Sequence, residues 1–203
     1  MSEVDRALSQ LAFIQDWLAA STRFRGLAPL AVGATGAIAL IVAVIEDVGP
    51  GYGLPSWSFV PTWVATAGVA ASLIAVEALG RARRLHAGMA DRMLASTLRL
   101  LLPFVAAGAM LTVVIVRASP DTIWILPGLW QMLIALTGFS AVGTLPKTIV
   151  WPAAWYFLCA TVTLFLAAAM GEPMPWMMGI PFGVGQVMTA VILHRAGVAD
   201  GAH

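Results

Sequence analysis

Six long runs of apolar residues, spread along the whole chain, constrain the fold more than any other feature of this sequence. They cover residues 27–45, 60–79, 98–116, 123–142, 149–170 and 177–193. Each is about as long as the roughly 20 residues that an α-helix needs to cross the hydrocarbon of a bilayer. A helix bonds all its backbone groups internally, and the runs lack the alternation of a membrane β-barrel. The sequence therefore predicts an all-α membrane protein, a bundle of six transmembrane helices.

The composition agrees with this prediction and limits what else the chain contains. Hydrophobic residues make up 60% of the 203 residues, charged residues make up 10%, and the mean hydropathy is +0.89. So much apolar surface could not be hidden in a water-soluble core of this size. We expect a transmembrane domain over residues 27–195, preceded by a segment at 1–26 and followed by a short tail at 196–203.

The segment before the first run has the pattern of an amphipathic helix. Leu8, Leu11, Ile14 and Leu18 recur at helical spacing between polar residues. This segment is too polar to span, so we predict that it lies on the membrane surface or packs under the bundle.

Basic residues predict the orientation of the bundle. Ten of the eleven lie before the first run, after the sixth, in the second and fourth connections, or (Arg99) at the start of the third run, and Arg117 alone lies on the other side. Acidic Glu46, Asp47, Asp121 and Glu172 share that other side. We therefore expect both termini in the cytoplasm.

A faint internal repeat links the second, fourth and sixth runs. Each opens with a tryptophan that a proline soon follows: Trp57 with Pro61, Trp124 with Pro127, and Trp176 with Pro181. Three helical hairpins of similar design would explain the pattern. The preference of tryptophan for the membrane interface and of proline for early helical positions would explain it as well.

A few polar or glycine-rich positions within the runs are candidates for a ligand-binding cleft. Gln131 and Gln186 could bind a ligand from neighbouring helices, or could join helices by hydrogen bonds. Gly183 closes a GxxxG spacing that allows close helix approach, and Pro181 within it frees backbone groups for a neighbour or a ligand.

Charged residues near the predicted cytoplasmic boundary offer a second kind of site. Glu77 is the only acid within a predicted span, and Arg81 lies four residues later, where an ion pair can form along a helix. Together with Arg83 and Arg84, Arg81 forms a basic patch for anionic lipid or for an acidic partner.

Familiar enzymatic or metal-binding patterns do not occur. The three histidines lie at or beyond predicted helix ends, Cys159 is the only cysteine, and there is no phosphate-binding loop, HExxH or CxxC motif. We therefore expect no metal and no cofactor, and the enzyme hypothesis is the least favoured.

Four stretches of the chain resemble a group of small six-span inner-membrane proteins of proteobacteria. They are residues 24–36 (FRGLAPLAVGATG), 82–91 (ARRLHAGMAD), 125–131 (ILPGLWQ) and 179–186 (GIPFGVGQ). No chemistry is assigned to that group, but some of its members are paired with winged-helix transcriptional regulators. The resemblance implies a bacterial inner membrane and a sensory or modulatory role.

Two functional hypotheses follow. The first is a non-enzymatic regulatory or accessory subunit that binds a protein partner through its cytoplasmic face and makes no direct contact with nucleic acid. The alternative is a transporter, or a binder of lipid or another small molecule, with a cleft between helices interrupted by proline and glycine. Small residues in the sixth run would also permit self-association in the bilayer.

Overall fold

A computed structural model describes residues 29–48, 56–85, 90–143 and 145–201, and regular structure within these ranges is entirely helical. The six α-helices are α1 (Pro29–Val48), α2 (Ser56–Leu85), α3 (Ala90–Ala118), α4 (Leu126–Ser140), α5 (Val150–Met170) and α6 (Trp176–Gly201). Short 3-10 helices at Pro120–Ile125, Ala141–Gly143 and Lys147–Ile149 lie before α4, after α4 and before α5.

All six helical segments are long and apolar enough to cross a membrane. The spans are Pro29–Val48, Ser58–Gly80, Leu101–Ala118, Pro120–Gly143, Lys147–Met170 and Trp176–Ala196. Each overlaps one of the six runs predicted from the sequence. The predicted all-α fold is therefore confirmed, and the chain is a multi-pass membrane protein.

Local chemistry accounts for the sharp end of α5. Its last residue, Met170, is followed by Gly171 in the left-handed conformation, with φ of 74°, and the Gly171 N–H bonds the carbonyl of Ala167 at 2.8 Å. Glycine tolerates this conformation because it has no Cβ. The chain can then turn at once into α6.

Two antiparallel helix pairs form the centre of the bundle. The most extensive contacts join α1 to α6 and α4 to α5, and the contact between α5 and α6 joins the two pairs. Helices α2 and α3 lie outside this centre, α2 against α1 and α3 against α4. The pairs α1–α6 and α4–α5 thus each join helices from two different predicted hairpins. The repeat of three hairpins stays a prediction.

The main hydrophobic cluster lies at one end of the bundle, which we call the Glu46 end; the opposite end is the Lys147 end. Helices α1, α2, α4 and α6 and the Pro120–Ile125 segment contribute to it. Its buried residues are Ala39, Ala43, Phe59, Val60, Trp63, Ile123, Leu126 and Met178. The Phe59 and Trp130 rings stack within it at a centroid distance of 6.4 Å. This cluster therefore joins four of the six helices at the Glu46 end.

Away from that cluster, α2 and α3 are thinly packed. No residue of the α3 span Leu101–Ala118 is buried. Its contact with α4 includes a hydrogen bond from the Trp130 Nε1 to the Thr112 Oγ1, at 3.0 Å, and Gly108, whose Cβ position would lie 3.2 Å from Leu133. Most of the surface of this helix pair faces outward.

Several boundaries differ from the sequence-based expectation. Helix α1 continues to Val48, so Glu46 and Asp47, which follow the predicted run 27–45, belong to the helix. Helix α6 continues to Gly201, through most of the predicted tail. The predicted amphipathic helix at 1–26 lies outside the described residues.

Candidate functional site

Small residues bring α6 close to α1 along a seam of backbone contact. An ideal Cβ built on Gly179 would lie 2.5 Å from the Cβ of Ala43, and one built on Gly183 would lie 2.7 Å from the Leu40 Cγ. A Cβ on Gly36 would lie 3.0 Å from the carbonyl oxygen of Gly183. The predicted GxxxG spacing at Gly179 and Gly183 is thus occupied by helix packing, as such spacings commonly are in membranes.

The proline within that spacing creates a polar contact with α4. Pro181 has no N–H, so the carbonyl of Met177, four residues earlier, lacks its usual helical donor. The Gln131 Nε2 donates to this carbonyl at 2.7 Å. The hydroxyl of buried Thr163 on α5 lies 3.4 Å from both the Nε2 and the Oε1 of Gln131. One glutamine therefore joins α4, α5 and α6 at the turn that precedes Pro181.

Helix α5 makes a second polar contact at the same proline. The Trp155 Nε1 donates to the carbonyl of Pro181 at 3.0 Å. Trp155 and Gln131 thus donate to carbonyl groups on α6 from two different helices. Side-chain donors from α4 and α5 thus supplement the backbone hydrogen bonds of α6 around Pro181.

The next residue of α5, Tyr156, has no such hydrogen bond. Its side chain is 3% exposed, and its ring meets Phe182 edge-on at a centroid distance of 5.3 Å. The ring also lies flat against α6, since a Cβ on Gly185 would lie 2.5 Å from the Tyr156 Cζ and 2.6 Å from the hydroxyl oxygen. That buried hydroxyl has no hydrogen-bond partner among the described residues.

Gln186 lies beside the Tyr156 hydroxyl. Its side-chain amide is within reach of the hydroxyl, but the two groups do not meet in the geometry of a hydrogen bond. Gln186 is half-buried and lies about 15 Å along α6 from Trp176, near the middle of the span. An uncharged donor and an uncharged amide therefore lie together at membrane depth.

The four residues predicted as ligand-binding do not all meet at one site. Gln131 and Pro181 come together, but Gln131 is 0% exposed and its amide is bonded within the protein. Gly183 faces α1. Gln186 remains the member with an available side chain, and Tyr156 joins it. Sequence reasoning missed Tyr156, although a tyrosine in the interior of an apolar run is a visible signal.

The predicted charged site lies on α2. Glu77 is half-buried and interacts with a neighbouring group. Arg81, Arg83 and Arg84 occupy the last turns of α2, but their side chains lie outside the described part of the structure. The prediction that these arginines bind a partner or lipid therefore stays a prediction.

A further polar pair that the sequence did not suggest lies at the Glu46 end. The Trp63 Nε1 donates to the Glu46 Oε2 at 2.8 Å, and Trp63 is buried in the main cluster. The sequence places Glu46 directly after the first predicted run and Trp63 within the second. An acid that directly follows an apolar run, with no basic residue near it in the chain, is the signal that could have indicated this contact.

In the ranges that the structure describes, no three His, Cys, Asp or Glu side chains lie close enough to hold a metal ion. The polar groups at the candidate site are neutral and suit hydrogen bonding to an uncharged molecule.

Comparison with protein-family models, with curated proteins and with solved structures gave no match to this chain. The resemblance to six-span inner-membrane proteins therefore stays a prediction, and functional inference rests on the geometry.

Proposed function

We propose that the protein is a non-enzymatic accessory or regulatory subunit of a bacterial inner membrane, with both termini in the cytoplasm. It would bind a protein partner at the Lys147 end, where α2 and α3 lie outside the central helices. One observation carries this proposal: α3 has no buried residue in its span, whereas the other five spans all bury residues. An outlying helix pair leaves a broad surface for another protein.

The lengths of α2 and α3 support the same proposal. They have 30 and 29 residues, which at about 1.5 Å per residue corresponds to roughly 45 Å, against about 30 Å of hydrocarbon. Both helices therefore reach beyond the hydrocarbon. The arginines of α2 lie in this projecting part, so we expect the partner to carry acidic groups.

The test is co-purification from the native membrane with matched charge changes. Arg83→Gln with Arg84→Gln removes two charges from the projecting part and leaves Arg81 for its expected pair with Glu77. Lys147→Gln with Arg195→Gln removes two charges from the same side of the membrane, away from α2. We expect native mass spectrometry to find a protein partner on the wild type and on the control. At least about a tenfold loss on the first variant is expected, as two charged contacts would provide. Equal retention by both variants, or no partner on any of them, would contradict the proposal.

The candidate site favours a second function, the binding of a small molecule or lipid. A half-buried glutamine beside an unpartnered tyrosine hydroxyl at mid-span is a place where a neutral ligand could form hydrogen bonds. Native mass spectrometry of the same preparation would test this function through a bound molecule of low mass. Protein without such a molecule, after gentle extraction, would contradict it.

A further inference from the structure

The hydroxyl of Tyr156 packs against α6 but forms no hydrogen bond there. The ring meets Phe182 edge-on, and the Cζ atom and the hydroxyl oxygen both lie against Gly185. Burial of a hydroxyl without a hydrogen bond is unfavourable, because the group loses the bonds it would make to water. A ligand that accepts a hydrogen bond from this group would remove that cost, so the hydroxyl favours a bound state.

Gln186 supplies a second group directed to the same place. Its amide can donate and accept, and it lies within reach of the Tyr156 hydroxyl. Gln186 is itself half-buried, so part of its side chain is exposed at the surface of the bundle. A molecule dissolved in the bilayer could therefore reach Gln186 without passing through the protein.

The chemistry of these groups restricts the ligand. No Asp, Glu, Lys, Arg or His occurs in 29–45, 150–170 or 177–193, the parts of α1, α5 and α6 that surround the pair. An ionic group of a ligand would find no counter-charge there and would be strongly disfavoured at membrane depth. A carbonyl oxygen fits because it can accept from the tyrosine hydroxyl and from the glutamine amide together.

We propose that Tyr156 and Gln186 form a binding site for the carbonyl oxygen of a neutral molecule dissolved in the membrane. The proposal rests on the second function above and adds the ligand class and the residues. Two kinds of membrane molecule carry such a group, acylglycerols with ester carbonyls and quinones with ring carbonyls. The site would hold the carbonyl between α5 and α6, next to the Phe182 ring.

The test uses full-length protein in dodecyl maltoside, a detergent without a carbonyl group, and three probes. Dioctanoylglycerol and a decyl benzoquinone carry carbonyls, and dioctylglycerol diether is the matched probe without them. We expect one of the two carbonyl probes to bind saturably in equilibrium dialysis. Tyr156→Phe and Gln186→Leu should each weaken that binding by about tenfold, and the diether should bind about tenfold more weakly to the wild type. The probe that binds identifies the source.

Thermal unfolding without ligand is the second measurement. Tyr156→Phe removes an unpartnered hydroxyl, so this variant should unfold at or above the temperature of the wild type. A clearly lower temperature would show that the hydroxyl is already bonded within the bundle and would overturn the proposal. So would the absence of saturable binding of either carbonyl probe, binding of the diether as strong as that of the ester, or unchanged binding by Tyr156→Phe. A small molecule that copurifies equally with both variants would preserve the binding function and reject this site.

Discussion

At the scale of single residues, Pro181 and Gln131 compensate each other. The proline removes a helical donor from the carbonyl of Met177, and the amide of the glutamine replaces it at 2.7 Å. The two residues depend on each other. If either were present without the other, a polar group would be left unpaired in an apolar surrounding. Their energetic coupling can be measured.

We predict that Gln131→Leu lowers the free energy of unfolding by about 1–3 kcal/mol, the cost of an unpartnered buried carbonyl. Pro181→Ala restores an N–H at position 181 and with it the helical bond to Met177. The double variant Gln131→Leu with Pro181→Ala should therefore recover about 1 kcal/mol of the loss. Reversible unfolding in detergent would give the double-mutant cycle. Simple addition of the two single effects would show that the residues are not coupled.

The Trp63 and Glu46 pair leads to another prediction at this scale. Glu46→Gln keeps an oxygen that can accept from the Trp63 Nε1, whereas Glu46→Leu leaves a buried indole N–H without an acceptor. We expect Glu46→Leu to lower the unfolding free energy by about 1–3 kcal/mol, and Glu46→Gln by clearly less. Thermal unfolding of the two variants in the same detergent would compare them. Equal losses would mean that the hydrogen bond contributes nothing.

At the scale of helices, the contact of α6 with α1 depends on residues without side-chain bulk. Gly179 faces the fully buried Ala43, and the carbonyl of Ala39 would lie 3.5 Å from a Cβ added there. A methyl group at position 179 would force the two backbones apart. Neither this methyl group nor that of Ala43 can move away by rotation about a side-chain bond. Gly68 on the outlying helix α2 has open space around its Cβ position.

Alanine substitutions at these two glycines should therefore have opposite outcomes. Gly179→Ala is expected to lower the unfolding free energy by about 1–3 kcal/mol through overpacking. Gly68→Ala should leave it unchanged or raise it by up to about 1 kcal/mol, since alanine has the higher helix propensity. Thermal unfolding of both variants is the measurement. A Gly179→Ala protein as stable as the wild type would show that α1 and α6 can separate at little cost.

The same helices show which parts of the architecture follow from the sequence. The length and composition of the runs predict six helices, because they depend on local apolarity alone. The GxxxG spacing at Gly179 indicates a close neighbour but does not name α1, whose contact residues lie more than 130 positions away. The partner of Gln131 is likewise a carbonyl freed by a proline 50 residues later. Contacts of this kind depend on how the helices assemble, and no local pattern contains them.

At the scale of the whole molecule, the main cluster and the outlying helix α3 differ most in burial. The main cluster joins α1, α2, α4 and α6 at the Glu46 end, whereas no residue of the α3 span Leu101–Ala118 is buried. A partner that packs against α3 would therefore meet a helix whose described span is accessible. The orientation of the bundle determines whether a partner at the Lys147 end is cytoplasmic or extracytoplasmic.

The positive-inside rule places Lys147 and Arg195 in the cytoplasm and Glu172 on the opposite side. Single cysteines test this, in a Cys159→Ala background that removes the only native thiol. We expect Glu172→Cys to react with a membrane-impermeant maleimide in intact cells. Lys147→Cys and Arg195→Cys should react only after the cells are permeabilised. All three positions lie at or near helix ends, so each thiol should be accessible from one side. The reverse pattern would place the Lys147 end outside the cell. The accessory function would then need an extracytoplasmic partner, because the projecting parts of α2 and α3 leave the bundle at that end.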